Sequence, residues 1–245
     1  MQAVILAAGK GKRLKPFTDT HSKAMAPIAG KPIVHRVIDK IYCAGIKDFV
    51  VVIAPSDIEL KKYLLKKIPE IQISIAYQNE QLGMGHALKC AMDFVKNDFL
   101  VSACDTLVDN ESVTKIVSEY SLNKPDMIFA LDIAPKEKIS RYGIVDFDEN
   151  GNVKSIIEKP KLKDASSDKY AVPLYIFSVK FKKYLNQLRL SSRGEYEIQD
   201  AISLFLRDKG PQPGIFINER YDLTTMEDLD KINKIFMNCL PHATE

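Results

Sequence analysis

Along the first 140 residues or so, short apolar runs alternate with stretches in which apolar residues recur at helical spacing. The runs that predict buried strands are 3–7, 49–54, 73–77, 99–103 and 127–131. The stretches that predict helices are 33–45, 58–68, 85–95 and 113–120. Alternation with short connections is typical of an α/β fold, a mainly parallel sheet with helices on both faces.

The pattern changes after about residue 141. Strand-like runs at 144–147 and 153–157 flank Asn150-Gly151, a pair that tolerates positive φ and predicts a β-hairpin. The later elements are predicted as strands at 170–177 and 215–217, and as helices around 180–188, 196–207 and 226–236. We therefore predict one domain over residues 1–245, with a core of about 1–140 and a smaller lobe of about 141–245.

Composition narrows the class of protein. The chain has 245 residues, 46% of them hydrophobic, and 35 basic against 32 acidic side chains, so the net charge of +3 argues against general binding to nucleic acid or membranes. The first apolar run precedes the basic residues, the reverse of a signal peptide, and no run reaches the roughly 18 residues of a membrane span. The cysteines form no Cys-x-x-Cys pair: Cys43, Cys90, Cys104 and Cys239. We expect a cytoplasmic protein with reduced thiols.

A basic, glycine-containing loop follows the first strand. Gly9 and Gly11 allow a tight turn that points backbone N–H groups at a phosphate, and Lys12 and Arg13 add positive charge. The loop is not a P-loop, which needs Ser or Thr where Arg13 stands, nor a dinucleotide fingerprint, which needs a third glycine where Leu14 stands. Taken alone, it is equally compatible with a basic surface turn.

The longer pattern is more specific, because Lys23 lies ten residues beyond Arg13 and is followed by Pro27 and Lys31-Pro32. It resembles the opening signature of the sugar-1-phosphate nucleotidylyltransferases, also called NDP-sugar pyrophosphorylases. The closest branches are the glucose-1-phosphate uridylyl- and thymidylyltransferases and the pyrophosphorylase domain of N-acetylglucosamine-1-phosphate uridyltransferase. The resemblance implies a Rossmann-like, mixed but mainly parallel sheet of the nucleotide-diphospho-sugar transferase type, with a smaller sugar-binding lobe.

In that family the loop binds the NTP triphosphate. The resemblance therefore implies that Arg13 and Lys23 are catalytic and stabilise the pyrophosphate leaving group. It also implies nucleotide-binding positions in and beside the loop: Leu6, Ala8, Gly9, Gly11 and Lys12.

A second segment follows the third predicted strand. Gln78, Gln81 and Gly83 resemble the family's Gln-x-x-Gln-Leu-Gly loop, which holds the nucleobase, although Met84 stands where Thr or Ala is usual. Without the resemblance, the segment is also compatible with an ordinary strand–helix connection capped by Gln81. The Gln78 and Gln81 segment leans towards UTP or dTTP.

Two aspartates are candidate metal ligands. Asp105 ends a buried strand, where a carboxylate can hold Mg²⁺ against phosphates, or can simply cap a turn. The family places a metal Asp here, usually after Gly rather than Cys104, whose side chain is expected to reshape the pocket. Residues 221–229 resemble Trp-x-Asp-Val-Gly-Thr-Pro-Glu-Asp-Leu, which implies that Asp222 is the second Mg²⁺ ligand. Thr225 or Glu227 is expected to cap the last helix.

Further positions resemble the family's sugar-binding elements. The resemblance implies that Gly143, Glu158, Lys159 and Glu195 bind the sugar and its phosphate, with Lys159 also catalytic. Read alone, Glu158-Lys159 is only a charged pair at a strand end. Pro173 stands where the family prefers Gly.

The implied reaction joins an NTP and a sugar 1-phosphate into an NDP-sugar and pyrophosphate by direct, Mg²⁺-dependent, in-line displacement. The partners are then small molecules, with no nucleic acid or membrane, and a homo-oligomer is compatible with the family. Three alternatives stay open: a CTP-dependent cytidylyltransferase for an alditol, inositol or other sugar phosphate, a non-catalytic nucleotide-binding homologue, and a nicotinamide-dependent oxidoreductase, which the missing third glycine disfavours. The left-handed β-helix of bifunctional relatives is not expected.

Overall fold

A computed structural model of the chain describes residues 1–68 and 71–238. The strands of this part are β1 (Gln2–Leu6), β2 (Pro27–Ile28), β3 (Lys31–Pro32), β4 (Asp48–Ile53), β5 (Gln72–Tyr77), β6 (Phe99–Ala103), β7 (Thr106–Val108), β8 (Met127–Ile133), β9 (Gly143–Phe147), β10 (Val153–Glu158), β11 (Lys169–Phe177), β12 (Gly214–Phe216) and β13 (Arg220–Asp222). The α-helices are α1 (Ile33–Cys43), α2 (Ile58–Lys67), α3 (Met84–Ala91), α4 (Asn110–Asn123), α5 (Lys182–Leu185), α6 (Ile198–Lys209) and α7 (Met226–Asn238). Cys239 lies outside the described residues.

The central sheet is mixed and mainly parallel, as predicted. β1 pairs in parallel with β4 and β6, and β4 pairs in parallel with β5. β11 is antiparallel to both β6 and β8, and β12 continues the sheet in parallel beside β8. The carboxyl ends of β1, β5 and β6 therefore meet at one edge of the sheet, where ligands bind in open α/β folds.

Helices cover both faces of this sheet, which confirms the predicted fold class. Strand side chains alternate between two buried clusters: Ile5 of β1 belongs to one cluster and Val4 to the other. The first cluster contains apolar residues of α1, α2, α4 and α7, and the second contains those of α3, α5 and α6. None of the described helices is long and apolar enough to span a membrane.

The later part of the chain is built into the same sheet. β11 lies between β6 and β8 and supplies a central antiparallel strand. The predicted hairpin is present as β9 and β10, which pair antiparallel around Gly151, and β9 joins the amino-terminal half of β11. Gly143 and Glu158, two predicted sugar-binding residues on this hairpin, are thus fixed directly to the central sheet.

Two predicted helices are wrong in extent. The helix predicted over 85–95 ends at Ala91, because the carbonyl oxygens of Met92 and Val95 accept hydrogen bonds from Lys182 Nζ. The helix predicted around 180–188 is a 3-10 turn followed by the four-residue α5. Both segments keep a helical spacing of apolar residues, and tertiary contacts decide their backbone.

Candidate active site

The glycine loop is packed against the segment that carries Lys23. Gly11 has a φ of 59°, and a Cβ at this position would lie 2.9 Å from Thr18 Cγ2 and 3.1 Å from Lys23 Cβ. The Thr18 hydroxyl donates to the Gly11 carbonyl oxygen at 3.0 Å. Only glycine fits this left-handed, crowded position. Lys12 and Arg13 follow in a 3-10 turn and are exposed, so their charges face solvent.

Lys23 and Asp105 form an ion pair between Nζ and Oδ2. The two side chains are 13% and 28% exposed, so the pair is accessible yet mostly shielded from water. Asp105 lies in the two-residue turn between β6 and β7, whereas Lys23 opens a 3-10 turn before β2. The structure therefore joins the predicted leaving-group lysine to the first predicted metal ligand.

Asp222 is placed beside Asp105 by a short strand pair, β7 with β13. In this antiparallel register Asp222 lies opposite Thr106, whose hydroxyl donates to Asp222 Oδ1 at 3.1 Å. The next residue, Leu223, donates its backbone N–H to the Asp105 carbonyl oxygen at 2.9 Å. Burial raises the pKa of the Asp222 carboxyl; Arg220 opposes this rise, and the negative charge of Asp105 adds to it. The two aspartates are thus close enough to influence each other's charge.

Arg220 is a residue that the sequence reasoning missed. Its Nη1 lies 2.7 Å from Asp222 Oδ2, and its Nε donates to Asp132 Oδ2 at 3.0 Å. The Tyr170 hydroxyl donates to the same Asp132 oxygen at 2.8 Å. The sequence does contain a sign of this residue. The family pattern has Trp two residues before the metal Asp, and this chain has an arginine at that position.

The donor set around Asp105 and Asp222 fits Mg²⁺. Carboxylate oxygens are hard ligands, and Mg²⁺ usually takes one or two of them together with substrate phosphate oxygens. Within the described part of the chain, no group of three or more His, Cys, Asp or Glu side chains is arranged to hold a metal. Asp105 and Asp222 would hold such an ion only together with oxygen atoms of a phosphate-rich ligand.

A second cluster of charged side chains surrounds Glu158. Gly143 lies opposite Glu158 in the β9–β10 register, and a Cβ on Gly143 would lie 3.0 Å from Glu158 Oε2. Lys159 Nζ lies 3.1 Å from Glu158 Oε1, and the backbone N–H of Lys159 donates to the Tyr142 carbonyl oxygen at 2.9 Å. Burial raises the pKa of the Glu158 carboxyl although Lys159 acts in the opposite direction. Its Oε2 is buried and has no hydrogen-bond partner among the described residues.

Lys159 also has an unusual backbone. Its φ is 48°, a left-handed conformation that side chains other than glycine adopt at a cost of about 1–2 kcal/mol. Strained non-glycine residues concentrate at functional sites. The conformation is held by the hydrogen bond to Tyr142 and directs the chain from β10 into Pro160, which is buried.

Arg193 adds a second cation to this cluster and was also missed. Its Nη2 lies 2.7 Å from Glu197 Oε1 and 3.6 Å from Glu158 Oε1. The Ser191 hydroxyl donates to the same Glu197 oxygen at 3.0 Å. These side chains line a pocket of about 280 Å³. The pocket is lined by one cation, Arg193, and by the carboxylates of Glu158, Glu197 and Asp200, so it suits hydroxyl groups that donate to carboxylates.

The loop after β5 contacts this lobe directly. Gly83 has a φ of 95°, and a Cβ there would lie 2.9 Å from both Glu195 Cβ and the Tyr196 carbonyl oxygen. Gln78 is buried, and its Nε2 donates to the Gly83 carbonyl oxygen at 3.1 Å, so its side chain shapes the loop. Gln81 is half-buried and Glu195 is exposed. The predicted nucleobase loop and the predicted sugar contact therefore adjoin.

Two of the departures from the family pattern have clear surroundings. The Cys104 side chain is buried in the core, and its backbone N–H donates to the Leu6 carbonyl oxygen at 3.2 Å. Burial raises the pKa of its thiol. Pro173 lies where the pairing of β11 with β8 shifts register.

The cap of α7 is Thr225, which was one of the two predicted caps. The hydroxyl and the backbone N–H of Thr225 donate to the Asp228 carboxylate, and the Asp228 N–H donates back to the Thr225 hydroxyl.

The model of the family described as Nucleotidyl transferase matches residues 2–237, and the chain belongs to this family. The family membership indicated by the sequence motifs is confirmed, and with it the assignment as an enzyme. A UTP–glucose-1-phosphate uridylyltransferase of Haloferax volcanii is 30% identical over 246 residues, covering 100% of both chains. A glucose-1-phosphate thymidylyltransferase of Mycolicibacterium smegmatis is 32% identical over 210 residues, covering 84% of this chain and 71% of the relative.

The fold is also similar to that of solved structures. A UDP-glucose pyrophosphorylase in complex with UDP-glucose superposes with a TM-score of 0.89 at 22% identity, covering 98% of this chain and 99% of the other. At this identity the likeness shows the fold, which is the one predicted.

Proposed function

We propose that this enzyme transfers a nucleotidyl group from UTP or dTTP to a sugar 1-phosphate, with Mg²⁺, and releases pyrophosphate. The observation that carries the proposal is the joining of Lys23, Asp105 and Asp222 at the carboxyl edge of the sheet. The names of the uridylyltransferase relative, matched over its whole length, and of the thymidylyltransferase relative, matched over 71% of its length, support the same substrate classes.

Lys23 and Arg13 are assigned to the triphosphate. Arg13 is exposed in the turn after Gly11, and the Lys23 side chain packs beside that glycine. The Lys23 side chain is flexible, so its ammonium group can leave Asp105 and bind a phosphate oxygen instead. Two cations on the β- and γ-phosphates neutralise the charge that develops on departing pyrophosphate.

Lys159 is assigned to the phosphate of the sugar 1-phosphate, and Glu158 and Gly143 to the sugar. The buried, unpartnered oxygen of Glu158 is suited to accept a hydrogen bond from a sugar hydroxyl, which would satisfy it. Gly143 leaves the space next to this oxygen that a side chain would fill. Glu195 is an additional sugar contact from the adjoining loop.

Asp105 and Asp222 are assigned to Mg²⁺. When bound, the ion would neutralise phosphate charge and align the two polyanionic substrates. The chain's own contribution is to hold the two carboxylates side by side, through the Thr106–Asp222 hydrogen bond and the backbone hydrogen bond between Leu223 and Asp105.

The reaction needs no protein nucleophile. A phosphate oxygen of the sugar 1-phosphate is already anionic; it forms a bond to the α-phosphorus while the bond from that phosphorus to the bridging oxygen of pyrophosphate breaks. The electron pair leaves with pyrophosphate. Catalysis then rests on orientation and charge neutralisation, the effects that dominate phosphoryl-type transfer.

The experiment is a pyrophosphate-release screen that crosses UTP, dTTP, CTP, ATP and GTP with sugar 1-phosphates and alditol phosphates in the presence of Mg²⁺. We expect release with UTP or dTTP and a hexose 1-phosphate, and none when the acceptor or the metal is omitted. Release with CTP alone would reassign the enzyme to the cytidylyltransferases. If the folded protein releases no pyrophosphate with any pair of substrates, the proposal is contradicted.

A further inference from the structure

Both oxygens of the Asp222 carboxylate are already held by neighbouring side chains. Oδ1 accepts the Thr106 hydroxyl at 3.1 Å, and Oδ2 lies 2.7 Å from Arg220 Nη1. A carboxylate oxygen has two lone pairs, so each oxygen retains one for a further ligand. The side chain of Asp222 is therefore fixed in orientation before any ligand arrives.

Arg220 is itself held rigidly. Its Nε donates to Asp132 at 3.0 Å, and its guanidinium carbon lies 4.9 Å from the ring centre of Tyr170 and 5.6 Å from that of Tyr142. The two rings stack on each other at 4.1 Å, and the Arg220 side chain is only 11% exposed. Asp132 is fixed in turn by the Tyr170 hydroxyl at 2.8 Å.

The two cations near the metal candidates therefore differ in kind. Lys23 reaches Asp105 through a flexible chain with one ammonium group, and a ligand can draw it away. Arg220 bridges the carboxylates of Asp132 and Asp222 with separate nitrogens of its planar guanidinium group. Its contact with Asp132 prevents the guanidinium from moving away with a bound ligand.

We propose that Arg220, anchored by Asp132, is a positioning residue that orients Asp222 for a divalent cation. The inference deepens the proposed function and rests on it. Hydrogen-bonded partners behind metal-binding carboxylates typically matter by about 10–100-fold in metal affinity.

Charge alone predicts the opposite effect, which makes the inference testable. A guanidinium near the site repels a divalent cation, so its removal should tighten metal binding if Coulomb repulsion dominates. Removal should weaken binding if the orientation of Asp222 dominates. Arg220→Lys separates the two effects further, because it keeps the positive charge but cannot bridge Asp132 and Asp222 with two separate nitrogens.

The test is a titration of the purified protein with Mn²⁺ alone, in which the free ion is followed by electron paramagnetic resonance. We expect Arg220→Lys and Arg220→Met each to raise the Kd for Mn²⁺ by about 10–100-fold. The matched control is Arg207→Lys, an exposed arginine on α6, which should leave the Kd unchanged. A Kd within twofold of wild type for Arg220→Lys, or tighter binding by Arg220→Met, would overturn the inference.

A rescue measurement guards against a simple loss of structure. A pocket of about 380 Å³ opens beside Arg220, Asp132 and the two tyrosine rings. Ethylguanidinium should therefore enter Arg220→Ala and restore Mn²⁺ affinity, whereas ethylammonium at the same concentration should not. Failure of ethylguanidinium to restore affinity in a variant that retains its thermal transition would contradict a positioning role.

Asp222→Asn distinguishes this inference from the proposed function. If Asp222→Asn leaves Mn²⁺ binding unchanged, the metal site itself is wrong and both proposals fail. If Asp222→Asn abolishes binding while Arg220→Lys does not weaken it, only the role of Arg220 is wrong.

Discussion

Thr106 and Asp222 lie opposite each other in the antiparallel register of β7 and β13, and the threonine hydroxyl donates to Asp222 Oδ1 at 3.1 Å. The two residues are 116 positions apart in the sequence. This one contact brings the loop after β6, with Asp105, to the segment that begins the last helix. The pairing of two short strands is therefore what assembles the candidate metal site.

Asp222→Asn should lower turnover by at least about 100-fold, the scale of a lost charge-stabilising group. Asparagine keeps the shape and can still accept from Thr106, but it loses the ion pair with Arg220, so a lower melting temperature with an unchanged circular dichroism spectrum is expected. Steady-state pyrophosphate release measures the effect, with Asp230→Asn on the exposed face of α7 as the matched control. Near-normal turnover of Asp222→Asn would remove this residue from the site.

Lys23→Ala should lower kcat/KM for the nucleotide by at least about 100-fold, because the triphosphate loses its contact with the Lys23 ammonium group. Circular dichroism should be unchanged. Lys62→Ala, on the exposed side of α2, serves as the control. If Lys23→Ala and Lys62→Ala give the same kcat/KM, Lys23 has no part in nucleotide binding or turnover.

Substitutions of Lys159 should separate stability from activity. Both Lys159→Ala and Lys159→Gly remove the ammonium group, so both should lose most of the turnover. Because the φ of this residue is 48°, the glycine variant should be more stable than the alanine variant by about 1 kcal/mol. Urea denaturation measures the difference. Equal stability of the two variants would argue against a left-handed backbone here.

Gly83→Ala should destabilise the protein by about 3 kcal/mol, because its Cβ would meet Glu195 and the backbone of Tyr196 at a positive φ. Gly210→Ala is the matched control: its φ of 81° is also positive, but no atom lies within 4 Å of the added carbon. The control carries a similar backbone strain without the clash, so it should lose clearly less stability than Gly83→Ala. Equal losses of unfolding free energy for the two variants in chemical denaturation would show that Gly83 does not closely contact the loop that carries Glu195 and Tyr196.

Glu158 should give the protein a pH-dependent stability. Burial raises the pKa of its carboxyl, so the folded state binds this proton more tightly than the unfolded chain does. The resulting stabilisation is complete below the unfolded pKa of about 4.3, and is lost as pH rises through the folded pKa. Glu158→Gln lacks this loss, so its stability relative to wild type should increase between pH 4 and pH 7. Thermal melts at both pH values test the sign, and a constant or falling difference would contradict it.

Most of the sheet and its helices could be predicted from the sequence, because buried strands such as β1 and β4 are continuous apolar runs and α1 has a clear helical repeat. β7 and β13 could not be predicted, since a strand of three residues shows no period. Asp105 and Asp222 were identified by motif, but only the strand pair shows how they meet.

The supporting side chains were harder to find. An arginine in a sequence does not show which carboxylate it contacts, so the contacts of Arg193 and Arg220 could not be predicted from the motifs. The Gln78 amide nitrogen donates to the Gly83 carbonyl oxygen, a contact that the motif does not show, and the place of Gln78 at the nucleobase stays a prediction. Such contacts depend on distances between segments that are far apart in the chain.

The most direct test of the account is an isotope experiment with the NTP and sugar phosphate pair that gives the fastest pyrophosphate release. The sugar 1-phosphate carries ¹⁸O in its phosphate, and both products are analysed by mass spectrometry. Attack by the sugar phosphate on the α-phosphorus predicts that all of the label stays in the nucleotide sugar and that the pyrophosphate is unlabelled. Label in the pyrophosphate, or release that proceeds without the sugar phosphate, would contradict direct nucleotidyl transfer.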